Sequence, residues 1–115
     1  MQYMLLLYVD HNAFQKMTPE QQGQGLAAYK SFMEALTKSD ALKASGRLQP
    51  TSTATTVKVT NGKTQVLNGP YAETKEQLAG YFLIDVPDLD GALSWAARCP
   101  GSSHGTMEVR PIWVM

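Results

Sequence analysis

The stretch Gly80-Tyr81-Phe82-Leu83-Ile84-Asp85-Val86-Pro87-Asp88-Leu89-Asp90 decides the fold, because it passes from strand chemistry to helix chemistry within eleven residues. Gly80 to Val86 is rich in β-formers. Tyr81, Leu83 and Asp85 alternate against Phe82, Ile84 and Val86, and a strand with large apolar residues in both sets is covered on both faces. Pro87 then stops the strand. Asp88 is placed to cap a helix, Asp90 sits near the positive end of its dipole, and Leu89, Ala92, Leu93 and Ala96 supply an inward stripe. Pro100-Gly101 ends that helix, and Thr106 to Val114 reads as a last strand with Met107 and Val109 opposite Glu108, Arg110 and Ile112.

Upstream, Met1 to Val9 has the same two-sided character, with Tyr3, Leu5, Leu7 and Val9 alternating against Met4, Leu6 and Tyr8. Thr18-Pro19-Glu20-Gln21 is a helix start in which Thr18 is the N-cap and Gln21 completes a capping box. Leu26, Tyr29, Phe32, Met33 and Leu36 recur at helical spacing along a helix that runs to about Lys38. Ser39-Asp40 suggests a break, and Ser45-Gly46 a turn. Thr53 to Thr60 and Lys63 to Leu67 flank Asn61-Gly62, the strongest short signal for a β-hairpin. The order β-α-β-β-β-α-β is most economically an α+β sandwich of ferredoxin-like type with an elaborated middle hairpin. Its two helices cover one sheet face and leave the other apolar, which predicts a homodimer packed sheet to sheet.

The 115 residues and 43% hydrophobic content suit one domain, residues 1–115. Ten basic residues balance ten acidic ones without clustering, which argues against nucleic acid as a partner. The longest apolar run, Met4 to Val9, is too short to span a bilayer, so no membrane partner is expected. One cysteine, Cys99, forbids an internal disulfide and fits a cytoplasmic location. With only two histidines, His11 and His104, a zinc site is not expected, and no phosphate loop or nucleophile elbow is present.

Chemistry concentrates in Asn68-Gly69-Pro70-Tyr71-Ala72-Glu73-Thr74-Lys75-Glu76-Gln77-Leu78, a turn followed by ionisable residues and pinned by the strand after it. Of the histidines, each on a loop at a strand end, His104 is the better candidate. Glu73 with His104 is the candidate acid/base pair, and Lys75 or Arg47 the candidate to hold an anionic group. Against this stands a plainer reading in which Glu73, Lys75 and Glu76 form a solvated turn. Asp85 and Arg110 read as a structural ion pair, and Tyr8, Tyr81, Met107 and Trp113 as core, interface or pocket lining.

The motif residues Asn68 to Tyr81, Leu83 to Asp90, Trp95-Ala96-Ala97-Arg98, Val109-Arg110-Pro111, the opening Tyr3-Met4-Leu5-Leu6 and the middle Leu48-Gln49-Pro50 resemble the YCII-related family, and within it the subgroup named for an Asp-Gly-Pro-Phe motif. The resemblance spans essentially the whole chain. It implies a dimeric α+β barrel built from two ferredoxin-like units. Many members of the subgroup are encoded beside extracytoplasmic-function sigma factors, and enzyme-like relatives are linked to small-molecule chemistry through a His-Asp pair. Here the motif's aspartate is Asn68, its phenylalanine is Tyr71, and the first helix has no histidine, so that dyad does not transfer. Two functions follow as expectations. One is a small-molecule-binding protein, extending to a cofactor-independent enzyme with Glu73 and His104 catalytic and Arg47, Asn68, Tyr71, Lys75 and Tyr81 around the ligand. The other is a non-catalytic accessory or sensor protein in a sigma-factor pathway.

Overall fold

The computed structural model describes residues 1–114, the side chain of Phe14 excepted. Strand β1 (Gln2–Val9) leads into a short helix α1 (His11–Gln15), so that His11 opens a helix where the sequence reading placed a loop, and then into the long helix α2 (Pro19–Lys38), the first helix of that reading, which has no histidine. The capping box forms as its spacing predicts: the Gln21 backbone N–H donates to Thr18 Oγ1 at 3.1 Å, and the Thr18 N–H donates to Gln21 Oε1 at 3.0 Å. Two donors that the helix leaves unpaired are thereby satisfied. Phe32 and Leu36 are buried and Tyr29 and Met33 half-buried, but Leu26, the first residue of the predicted stripe, is exposed. The inward face of α2 is therefore its C-terminal half.

Leu42–Arg47 forms strand β2, where the sequence reading placed a turn at Ser45-Gly46. The segment has one large apolar residue among small and polar ones, so no side-chain alternation marks it. It is extended because its backbone pairs with the strand beside it. A 3₁₀ turn (Thr51–Thr53) follows, then β3 (Thr55–Thr60) and β4 (Lys63–Asn68). Asn61 and Gly62 take φ of 51° and 74°, the left-handed pair that a two-residue hairpin of matching twist requires. This hairpin is a separate two-stranded sheet and adds no strand to the main one.

Strand β5 (Gln77–Asp85) begins three residues before the predicted Gly80; helix α3 (Leu89–Arg98) and a 3₁₀ turn (Pro100–Ser103) then lead to β6 (Thr106–Pro111), which ends before the predicted Val114. Asp88 caps α3 by accepting from the Gly91 N–H at 2.9 Å. The four-stranded sheet has the order β2-β5-β1-β6, antiparallel throughout. Each helix crosses between two strands that are parallel to each other and separated by a third, so two split βαβ units interlock in the ferredoxin-like arrangement.

Tyr3, Leu5, Phe82 and Ile84 face Phe32, Leu36, Ala92 and Ala96 to make the core. Phe32 meets the edge of Phe82 at 5.3 Å between ring centres, and the Trp95 ring at 6.2 Å. Leu89 and Leu93, predicted to face inward, are exposed; small Ala92 and Ala96 let α3 lie close to the sheet. Met4, Leu6, Tyr8, Tyr81 and Leu83 occupy the opposite sheet face, which no helix covers. Asp85 and Arg110 do not pair: β1 separates their strands, Asp85 accepts from the Met1 ammonium at 3.2 Å, and Arg110 pairs with Glu108.

Candidate functional site

The register of β1 against β5 sets Val9 opposite Gln77, so the segment leaving β1 and the loop entering β5 emerge side by side. Asp10, His11 and Asn12 on one side and Thr74, Lys75 and Gln77 on the other line a cavity of about 240 Å³. Thr74, Lys75 and Gln77 also form one wall of a second cavity of about 470 Å³, whose remaining lining is Thr51, Ser52, Pro70 and Glu73. The two cavities meet at Lys75. The larger is an open depression whose lining, Pro70 apart, is polar, unlike the enclosed, mostly apolar clefts that hold most small molecules.

Hydrogen bonds orient several of these groups. Asp10 Oδ1 accepts from the Asn12 N–H at 3.0 Å, holding the turn after β1. The Thr51 hydroxyl donates to Gln77 Oε1 at 2.6 Å, which leaves the Gln77 amide NH₂ as a donor. Glu76 accepts from the Thr106 hydroxyl at 2.7 Å and its backbone carbonyl accepts from the Thr74 hydroxyl. Glu76 is thus tied to β6 while Glu73 stays exposed beside the larger cavity. His11 differs from all of these. Its Nε2 is buried and makes no hydrogen bond to any described residue. A buried polar atom left unpaired costs about 1–3 kcal/mol.

Of the residues expected from sequence, Glu73 and Lys75 line these cavities. Arg47, Asn68, Tyr71, Tyr81 and His104 line neither. Tyr71 is 97% exposed, Asn68 ends β4 opposite Thr55, and His104 is exposed in the turn before β6. Tyr81 lies on the open sheet face with its ring over Gly46, where an added Cβ would stand 2.8 Å from Cε1. Neither of these two cavities brings Glu73 and His104 together. Asp10, His11, Thr51, Ser52 and Gln77 were not expected; only strand register, which brings the ends of β1 and β5 together, would have singled out His11.

A second polar group lies on the open face. The Tyr8 hydroxyl donates to Glu108 Oε1 at 3.0 Å and Arg110 Nε donates to Glu108 Oε2 at 2.7 Å. Those bonds, the one from Arg110 first, hold the Glu108 carboxyl below the usual carboxylate range. Burial and then the bond to Glu108 push the Tyr8 phenol up. Among the described residues no group of three or more His, Cys, Asp or Glu side chains could hold a metal ion, and no helix is long and apolar enough to cross a membrane.

The model of the YCII-related domain matches residues 1–115. The chain belongs to the YCII-related family. An uncharacterized protein of Rhizobium meliloti (strain 1021) is 35% identical to this YCII-related chain over 114 residues, covering 97% of it and 92% of the relative. In fold, the chain is similar to the 5-chloro-2-hydroxyhydroquinone dehydrochlorinase of Burkholderia phenoliruptrix AC1100, solved in complex with 2,5-dihydroxybenzoquinone. That match has a TM-score of 0.58 at 12% identity and covers 98% of this chain and 94% of the other.

Proposed function

We propose that this YCII-related protein binds a small, oxygen-rich organic anion in the adjoining cavities that meet at Lys75. The wall shared by the two cavities carries the reading, because it holds a cation, Lys75, and an amide donor, Gln77, with His11 lining the smaller cavity beside them. Lys75 suits a carboxylate or phenolate oxygen as a point charge. His11 at one end and Glu73 at the other are groups able to move a proton, so the chemistry such a site supports is acid/base transfer. The quinone bound by the dehydrochlorinase of similar fold is one member of this ligand class and a reasonable first probe.

Calorimetry with a panel of small carboxylates and hydroxyquinones, 2,5-dihydroxybenzoquinone included, tests the proposal. Binding that weakens at least about tenfold in both Lys75→Ala and His11→Ala supports it, a loss of about 1.4 kcal/mol being the least expected of a charge-assisted contact. Equal affinity in wild type and both variants sinks it. Turnover of a bound panel member separates an enzyme from a sensor that uses the same cavities.

The Asn68-Gly69-Pro70-Tyr71 turn supports placing the chain in the subgroup with the Asp-Gly-Pro-Phe motif. The open face of the sheet, with Met4, Leu6, Tyr81 and Leu83 on it, supports a homodimer in which two such faces pack together.

A further inference from the structure

The β3–β4 hairpin stands apart from everything so far used. Of its twelve strand residues all but Thr56 are exposed. Val57 pairs directly with Val66, and Val59 lies on the same face two residues along, so three β-branched apolar side chains form one patch, 63%, 61% and 64% exposed in that order. A two-stranded ribbon is marginal in water without a further layer against it. Nothing in the hairpin's own fold supplies that layer.

The dimensions of the chain say what does. The structure is a slab 18 Å thick, one sheet and one helix layer, with a radius of gyration of 16.1 Å; a compact chain of this length has one of roughly 13 Å. Its accessible surface is 8250 Å² at 12.6 kDa. A compact monomer of that mass exposes roughly 6,200 Å², so about 2,000 Å² is in excess. That excess is of the size each partner buries in a large obligate dimer. The open face of the main sheet, four strands spaced about 4.8 Å and about 24 Å long, has a plan area of only roughly 450 Å². Packing two such faces together leaves much of the excess uncovered, and among the helices and strands the most exposed apolar side chains that lie side by side are those of the hairpin.

We propose that the β3–β4 hairpin is an arm that packs its Val57, Val59 and Val66 face against a second copy of this chain. The inference rests on the homodimer reading and extends it: the arm is a second area of contact, outside the sheet faces, and two-fold symmetry gives each dimer two of them. The arm springs from the Thr51–Thr53 turn and returns to Pro70, both at the rim of the larger cavity. Anchoring it in the dimer therefore also fixes one wall of the candidate site.

Sedimentation equilibrium of the wild type and of Val57→Glu/Val66→Lys tests this, the paired opposite charges being chosen to keep the cross-strand contact while making the face polar. The expected result is a wild-type dimer and a folded variant whose dimer dissociation constant is at least about a hundredfold higher, since four valines per dimer lose their burial. A wild-type dimer with an unchanged constant in the variant overturns the arm and leaves the sheet-to-sheet dimer standing. A wild type that stays monomeric at all concentrations overturns both. Should the variant fail to fold, hydrogen exchange on the wild type at concentrations above and below the dissociation constant decides. Protection of residues 55–60 and 63–68 in the dimer alone supports the arm, whereas equal protection in the monomer shows the hairpin docked on its own chain and overturns it.

Discussion

Gly105 sits where the chain leaves the second 3₁₀ turn for β6, and a Cβ there would stand 2.1 Å from the Tyr8 carbonyl oxygen and 2.9 Å from Val9 Cγ1. The first of these is backbone of the central strand, which cannot swing aside. Gly105→Ala is expected to cost about 3 kcal/mol, the upper end of overpacking penalties, read from the shift of a urea midpoint. Tyr29 gives a pH prediction. Burial, then the Cys99 thiol beside it, raise the Tyr29 phenol well above its ordinary value, and burial raises Cys99 as well. Both groups are neutral in the native state at pH 7, and the unfolded chain releases their protons first as pH rises. The stability they contribute is thus whole below the unfolded values of about 8.5 and 10 and is lost above them. Thermal unfolding from pH 8 to 11 is expected to show falling Tm, with the fall reduced in Tyr29→Phe; an identical fall in that variant would remove Tyr29 from the account. At this scale the sequence marked Glu73 and Lys75 because charge beside a turn is visible in one dimension. It could not rank His11 above His104, since what distinguishes them is a buried, unpartnered Nε2 against solvent exposure.

Among the elements, those whose signals are local were legible in the sequence. Thr18 and Gln21 lie three residues apart, Asn61-Gly62 is contiguous, and Asp88 immediately precedes its helix, so each signal is complete in a few residues. Thr18→Ala removes one arm of the box and the cap, and is expected to lower stability by about 1 kcal/mol with a frayed first turn of α2, checked by denaturation and by exchange of the Gln21 and Gln22 amides. Retention of full stability would mean that the packing of Phe32 and Leu36 alone sets the start of the helix. Strand β2 was not legible, because Leu42-Lys43-Ala44-Ser45-Gly46-Arg47 becomes extended only by pairing with residues about forty positions later. The helix stripes were half legible for a related reason. Periodicity finds the apolar side of α2 and α3, but only packing against the sheet decides that Leu26, Leu89 and Leu93 stay exposed.

For the whole molecule, a sheet covered by helices on one side and bare on the other would tie folding to association if two bare faces pack together. The first and fourth predicted strands showed two apolar faces in sequence, and one of those faces, Met4, Leu6, Tyr81 and Leu83, is the uncovered one. If native protein is a dimer and unfolded chains are separate, mass action makes the transition concentration-dependent. A tenfold increase in protein adds about 1.4 kcal/mol per dimer. Unfolding two chains of 115 residues carries an entropy of about 0.5 kcal/mol/K, so Tm should rise by about 3 °C per decade of concentration. Leu83→Arg should abolish that slope. The side chain lies mid-strand on β5 opposite Met4 and Ala44, where a guanidinium would be buried between the packed faces without a partner on either neighbouring strand position. A monomer made this way keeps its helix-side core of Leu5, Phe32, Leu36 and Ile84, so it should remain folded with a lower Tm that no longer responds to concentration. A wild-type Tm that is flat over two decades would instead mean that the bare face is stable in water, and the sheet-to-sheet dimer would have to be given up.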